Sequence, residues 1–80
     1  MKVRAEITTE PFQGEGDLPT HVRAAADALD SSGLEPDLGP LGTSVVGAAD
    51  AVVPAVAGAV SDALAAGATR ISLQIERIDD

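Results

Sequence analysis

Glu6 and Glu76 fall on the outward face of the strands that open and close this chain, and two carboxylates on one face could serve as an acid–base pair. On an open sheet they are expected instead to pair with Arg4 or to stay solvated. His21 is the single histidine and there is no cysteine, so it has no His or Cys partner for metal ligation or nucleophilic catalysis. Its place at the solvent edge of a first helical turn reads as an ordinary surface histidine. Gly14-Glu15-Gly16 lacks the third glycine and the context of a dinucleotide fingerprint. No serine nucleophile motif, phosphate-binding glycine loop or metal-ligand spacing occurs. The residues read as non-catalytic, with no metal and no cofactor.

The elements that would position these side chains are legible from hydrophobic periodicity. Residues 2–10 alternate, with Val3, Ala5, Ile7 and Thr9 on one face and Lys2, Arg4, Glu6, Thr8 and Glu10 on the other. Pro11 should end the regular pairing, and Gln13 to Gly16 read as a loop. Asp17 is the expected N-cap of a first helix, with Pro19 in its first turn and Leu18, Val22, Ala25, Ala26 and Leu29 on its apolar face. Gly33 followed by Leu34 predicts a left-handed C-terminal cap.

Leu34 and Leu38 lie on a short strand that Pro36 marks as an edge. The run Gly39-Pro40-Leu41-Gly42-Thr43 predicts a tight turn into a third strand, Thr43 to Gly47. A second helix begins near Asp50. Val52, Val56, Val60 and Leu64 form its large apolar row, flanked by Val53, and Ala51, Ala55, Ala59 and Ala63 form a small row suited to close packing on the sheet. Gly67 ends it. A last strand, Arg70 to Ile78, turns Ile71, Leu73 and Ile75 to the core, and Asp79-Asp80 make a short acidic end.

The order βαββαβ is the ferredoxin-like plan: one α+β domain over residues 1–80, with a four-stranded antiparallel sheet of order 4-1-3-2 and both helices on one face. The open face would carry Arg4, Glu6, Thr8, Ser44, Val46, Ser72, Gln74 and Glu76, with Glu6 near Ser44 or Val46 on one side and Gln74 on the other.

Composition sets further bounds. A chain of this length buries only about 60–65% of the surface its unfolded form exposes. Phe12 is the only aromatic residue and much of the apolar content is alanine, so the core is thin and self-association is the expected remedy. A net charge of −8 argues against nucleic acid and anionic lipid and favours neutral or cationic ligands. Met1-Lys2-Val3 runs directly into a strand without a signal-like segment, and Asp50, Pro54, Gly58 and Asp62 interrupt the stretch from Ala48 to Ala66, so no membrane span is expected and the location reads as cytoplasmic.

Over nearly its whole length the chain resembles the small stand-alone thiamine-binding protein family. The resemblance rests on the opening strand Val3 to Thr8, on Ser32-Gly33-Leu34, on Leu38-Gly39-Pro40-Leu41-Gly42-Thr43 with Gly47 after it, and on the closing strand Arg70 to Asp79. It implies binding of thiamine or its hydroxymethylpyrimidine fragment, no catalysis, and a homotetramer built by association of sheets. A carboxylate can accept from the exocyclic amine of thiamine and balance its thiazolium charge. The family has a Glu just before the glycine numbered 47 here, where this chain has Val46, and losing that carboxylate would cost about 1.5–3 kcal/mol. The expected ligand-binding residues are Glu6, Thr43, Ser44 and Val46. The rival class is an oligomeric interaction module with no small-molecule ligand.

Overall fold

The computed structural model describes residues 1–12, 16–40 and 42–79. The loop expected over Gln13–Gly16 is described only at Gly16, and Leu41 of the central turn and Asp80 of the acidic end also lie outside the described residues. The chain runs β1 (Lys2–Glu10), α1 (Thr20–Ser31), β2 (Asp37–Leu38), β3 (Thr43–Ala48), α2 (Ala49–Ala65) and β4 (Arg70–Arg77). The strands form one antiparallel sheet in the order β2-β3-β1-β4, the expected 4-1-3-2 read from the other edge. The buried cluster joins Val3, Ala5, Ile7 and Val45 of the sheet to Ala25 and Leu29 of α1 and to Val52, Ala55, Val56, Ala59 and Ala63 of α2. This is the ferredoxin-like arrangement.

Helix α1 starts later than the sequence suggests. Its N-cap is Pro19, at φ −55° and ψ 146°, with no side-chain capping bond, so Asp17 does not cap it. Proline disfavours helical angles in the residue before it, which keeps Leu18 outside the helix and half exposed. The Pro19 carbonyl accepts from the N–H groups of Val22 and Arg23. At the other end the expectation holds. Gly33 has φ +84°, its N–H donates to the Asp30 carbonyl, and the Leu34 N–H donates to that of Leu29. That bond pair is the Schellman cap, and the left-handed angle is why glycine stands there.

The core is thinner than the apolar rows imply. In α2 the small row is buried from Ala55 through Ala59 to Ala63, beside Val52 and Val56, while Val53 and Leu64 are half exposed. The alanine side lets α2 approach both α1 and the sheet closely, which rotates Leu64 outward. The closing strand also departs from expectation. Leu73 and Ile75 pair with Ile7 and Ala5, so they do point to the helix side, yet they remain 41% and 42% exposed. The cause is position: β4 is an edge strand, and α2 packs over β1 and β3. Only Ile71 of the three packs against the core. Short strand β2 is the other edge, as Pro36 implied, although Leu34 lies outside it.

Asp79 is more than a solvated end. It accepts from the Lys2 backbone N–H at 2.9 Å and from Arg77 Nε at 2.8 Å, closing the start of β1 against the end of β4. The Arg77 guanidinium, followed by the Lys2 N–H, holds its carboxyl below the usual carboxylate range.

If the alanine row is the packed one, Ala59→Leu overfills a site with no exposed surface and should destabilise by about 1–3 kcal/mol. Leu64→Ala, at a position 52% exposed, should cost clearly less. Urea unfolding of both variants at one fixed protein concentration checks the order; a larger loss for Leu64→Ala would restore the large row as the core.

Candidate functional site

Residues at the β1–β3 seam divide between the two faces of the sheet. The register sets Ile7 opposite Thr43, Glu6 opposite Ser44 and Arg4 opposite Val46. Because side chains alternate along a strand, Thr43 joins Ile7 on the helix side and is buried, whereas Glu6, Ser44 and Val46 open onto the other face. The four residues expected from the sequence are thus not one constellation. Three share the helix-free surface, and Thr43 stands behind them.

On the open face, Arg4, Glu6, Ser44 and Val46 border a shallow groove with Glu35, just before β2, and Asp37 of β2. The surface continues across β1 to Gln74 and Glu76. Glu6 stands between Ser44 and Gln74, as the strand order requires. Arg4 Nε lies 3.8 Å from Glu76 Oε1 with both side chains more than half exposed, so the pair contributes no more than about 1 kcal/mol. Glu76 is therefore engaged with Arg4 on a surface in contact with water, the cross-strand pairing anticipated for it.

The helix side of the same seam is more enclosed. A cavity of about 70 Å³ has Ile7, Thr9 and Thr43 as its floor, and Pro19, Val22 and Ala25 at the start of α1 as one wall. Gly39, Pro40 and Gly42 form the facing wall, and Pro11 and Phe12 make its lip. Its location follows from local sequence. Pro19 delays α1, so this end of β1 is left without a helix directly above it. Gly42 lets the β2–β3 turn lie against β1: a Cβ there would come within 2.9 Å of Thr8 Oγ1 and 3.2 Å of the Ile7 carbonyl oxygen. The Gly39 N–H closes the turn by donating to the Gly42 carbonyl at 2.8 Å.

No charged side chain lines this cavity among the described residues; its polar side chains are Thr9 and Thr43. As closed by Phe12 the cavity is smaller than a heteroaromatic ring; with Phe12 drawn back it would offer an aromatic face to stack on and threonine hydroxyls to pair with ring nitrogens or an exocyclic amine. In a water-poor site such hydrogen bonds are electrostatically stronger than in bulk.

His21 contradicts the surface reading given to it. It is 5% exposed, with Nδ1 at 2.6 Å from Thr9 Oγ1 and Nε2 at 3.1 Å from the Pro11 carbonyl oxygen. His21 lies four residues before Ala25 and eight before Leu29, so the helix turns it toward the sheet with them. That four-residue spacing from Ala25 was the signal in the sequence, and beginning the helix at Asp17 obscured it. Phe12 and Pro40 were likewise read only as structural residues, because nothing in periodicity tells a lip or a wall from a loop.

Comparison with known proteins agrees with the fold. No curated protein matches the chain significantly. A hypothetical protein from Methanocaldococcus jannascii superposes with a TM-score of 0.74 at 26% identity, covering 99% of this chain and 82% of the other. A Thermotoga maritima protein provisionally assigned to thiamine biosynthesis or salvage gives 0.67 at 25% identity, over 95% and 81%. A domain of unknown function from Bacillus cereus gives 0.68 at 23% identity, over 94% and 72%, a likeness of fold. The profile of the family described as "Thiamine-binding protein" matches residues 5–80, nearly the whole length. The chain belongs to the thiamine-binding protein family.

Proposed function

We propose that this protein is a non-catalytic, cytoplasmic binder of thiamine or of its hydroxymethylpyrimidine fragment, and that it works as a homo-oligomer. Family membership and the likeness to the Thermotoga maritima protein support the ligand class. The observation that carries the reading is the cavity at the β1–β3 seam, lined by Phe12, Thr9 and Thr43 and more closed than the grooves of the open face. A pyrimidine ring exceeds the 70 Å³ of that slot, so entry requires the Phe12 lip, 61% exposed, to swing outward. The cationic thiazolium of thiamine then rests at the lip, where an aromatic face and a protein of net charge −8 both favour it.

A second placement has its own support. Glu6, Ser44 and Val46 converge on the open face, and Glu6 supplies the carboxylate that the cavity lacks among its described residues. The interaction-module reading draws on the acidic surface and on Val46 standing where the family has Glu. Among the described residues no helix is long and apolar enough to cross a membrane.

Assembly is proposed through β4. Its outer edge has no neighbouring strand, and it presents Leu73 and Ile75 half exposed beside an open row of backbone hydrogen-bonding groups. Such an edge is a template for another strand. A core whose wholly buried large side chains, among the described residues, are Leu29 and Val52 gains from covering that edge with a second copy.

Calorimetric titration with thiamine separates the placements. Thr43→Val should weaken binding by up to about tenfold through loss of one hydrogen bond, with Glu6→Gln close to the parent. The reverse order would move the ligand to the open face, where Val46→Glu should then strengthen binding. Undetectable binding of thiamine and of hydroxymethylpyrimidine in the parent and all three variants would favour the interaction module. For assembly, light scattering at micromolar concentration should show a mass well above the 8.0 kDa of one chain, and Leu73→Asp should lower it. A stable monomer for the parent would refute the assembly.

A further inference from the structure

We infer that His21 is a positioning residue for the cavity, one that holds the Phe12 lip without lining the slot itself. The inference rests on reading the cavity as the ligand site. A carbonyl oxygen can only accept, so the contact to Pro11 places a ring proton on Nε2, and in the neutral imidazole Nδ1 is then the acceptor for the Thr9 hydroxyl. Both ring nitrogens are thereby committed. The groups they hold are not arbitrary: Thr9 belongs to the floor of the slot, and Pro11 immediately precedes Phe12 in its lip.

Burial alone does not require an imidazole here. An aliphatic side chain would meet the same burial without needing two partners. What an aliphatic residue lacks is an acceptor that reaches the floor together with a donor that reaches the lip. The imidazole spans the point where the chain leaves β1, and so couples the end of the sheet to the segment that must move when a ring enters. Anchored at Pro11, Phe12 pivots from a fixed backbone point. This pre-sets the lip in the geometry that covers the slot, and less ordering remains to be done on binding.

The test uses the full chain. It contains neither Trp nor Tyr, so Phe12→Trp installs a single emitter on the lip. In that background, time-resolved anisotropy should decay mainly with overall tumbling. Adding His21→Leu should introduce a fast local component and weaken thiamine binding about tenfold, the scale of one or two lost hydrogen bonds. His21→Gln, whose amide nitrogen reaches about as far as Nε2, should restore the slow decay and most of the affinity. A purely structural role predicts no such rescue, and predicts affinity changes that follow thermal stability across the variants. Should His21→Leu fail to fold, His21→Asn replaces it: its shorter amide keeps Thr9 within reach and loses Pro11, so it should loosen the lip where Gln does not. Unchanged anisotropy in His21→Leu or His21→Asn, or parental thiamine affinity in either, overturns the inference. If the parent and the Phe12→Trp chain bind no thiamine, the ligand reading fails and the anisotropy series still decides whether His21 holds the lip.

Discussion

Strand β1 is paired along both edges, with β3 on one side and β4 on the other, and the register of those two ladders is the constraint on which the rest depends. It turns Val3, Ala5 and Ile7 under the helices, where they form the sheet's share of the core, and it sends Arg4 and Glu6 to the open face. The same alternation directs Thr9 toward His21 and sets Ile7 beside Thr43 as the floor of the cavity. A slip of one residue would exchange the two faces. The core would then lose its three largest contributions from β1, and the cavity would lose its floor. Burial on one face and polarity on the other make that slip costly, so β1 can position a site with little help from elsewhere.

Around this strand the molecule is built from small side chains. Alanines at 55, 59 and 63 bring α2 close to α1 and to the sheet, giving tight packing and little buried area. This packing has one consequence, and Pro19 adds another. The larger apolar residues of α2 and β4, among them Leu64, Leu73 and Ile75, are left partly in water. In addition, α1 begins late, behind Pro19, leaving room at one end of the sheet for a cavity. The composition that limits the stability of a single chain thus coincides with half-exposed apolar side chains at the β4 edge and a cavity at the β1–β3 seam.

Much of this was readable in the residues, and the reasons for the misses are physical. Alternation in Lys2–Glu10 and Arg70–Arg77 is strong enough to give the strands and their faces, and Gly33 marks its cap through a backbone angle that other residues resist. The order of strands followed from the βαββαβ succession. Helix starts were less legible: Asp17 has the right side chain for a cap, but Pro19 overrides it two residues later. Exposure at an edge is a property of the assembled sheet, which is why Leu73 and Ile75 have the sequence pattern of core residues and the surroundings of a rim. The candidate site was half legible. The turn pointed to the β1–β3 seam, where the cavity lies, and period-two geometry should have separated Thr43 from Glu6, Ser44 and Val46. The Phe12 lip and the His21 tie depend on where the chain goes after Pro11, and no periodicity encodes that.

The central claim is that the ligand is held on the helix side of β1 and not on its open face. Isotope-filtered NMR of the methyl-labelled chain with thiamine tests it directly, because methyl groups stand on both sides of the same seam. Ile7 and Val22 line the cavity, and Val46 lies on the open surface. The account predicts intermolecular nuclear Overhauser effects from the pyrimidine ring proton and methyl group to the methyls of Ile7 and Val22, with none to Val46. Contacts to Val46 with silence at Ile7 and Val22 would contradict it.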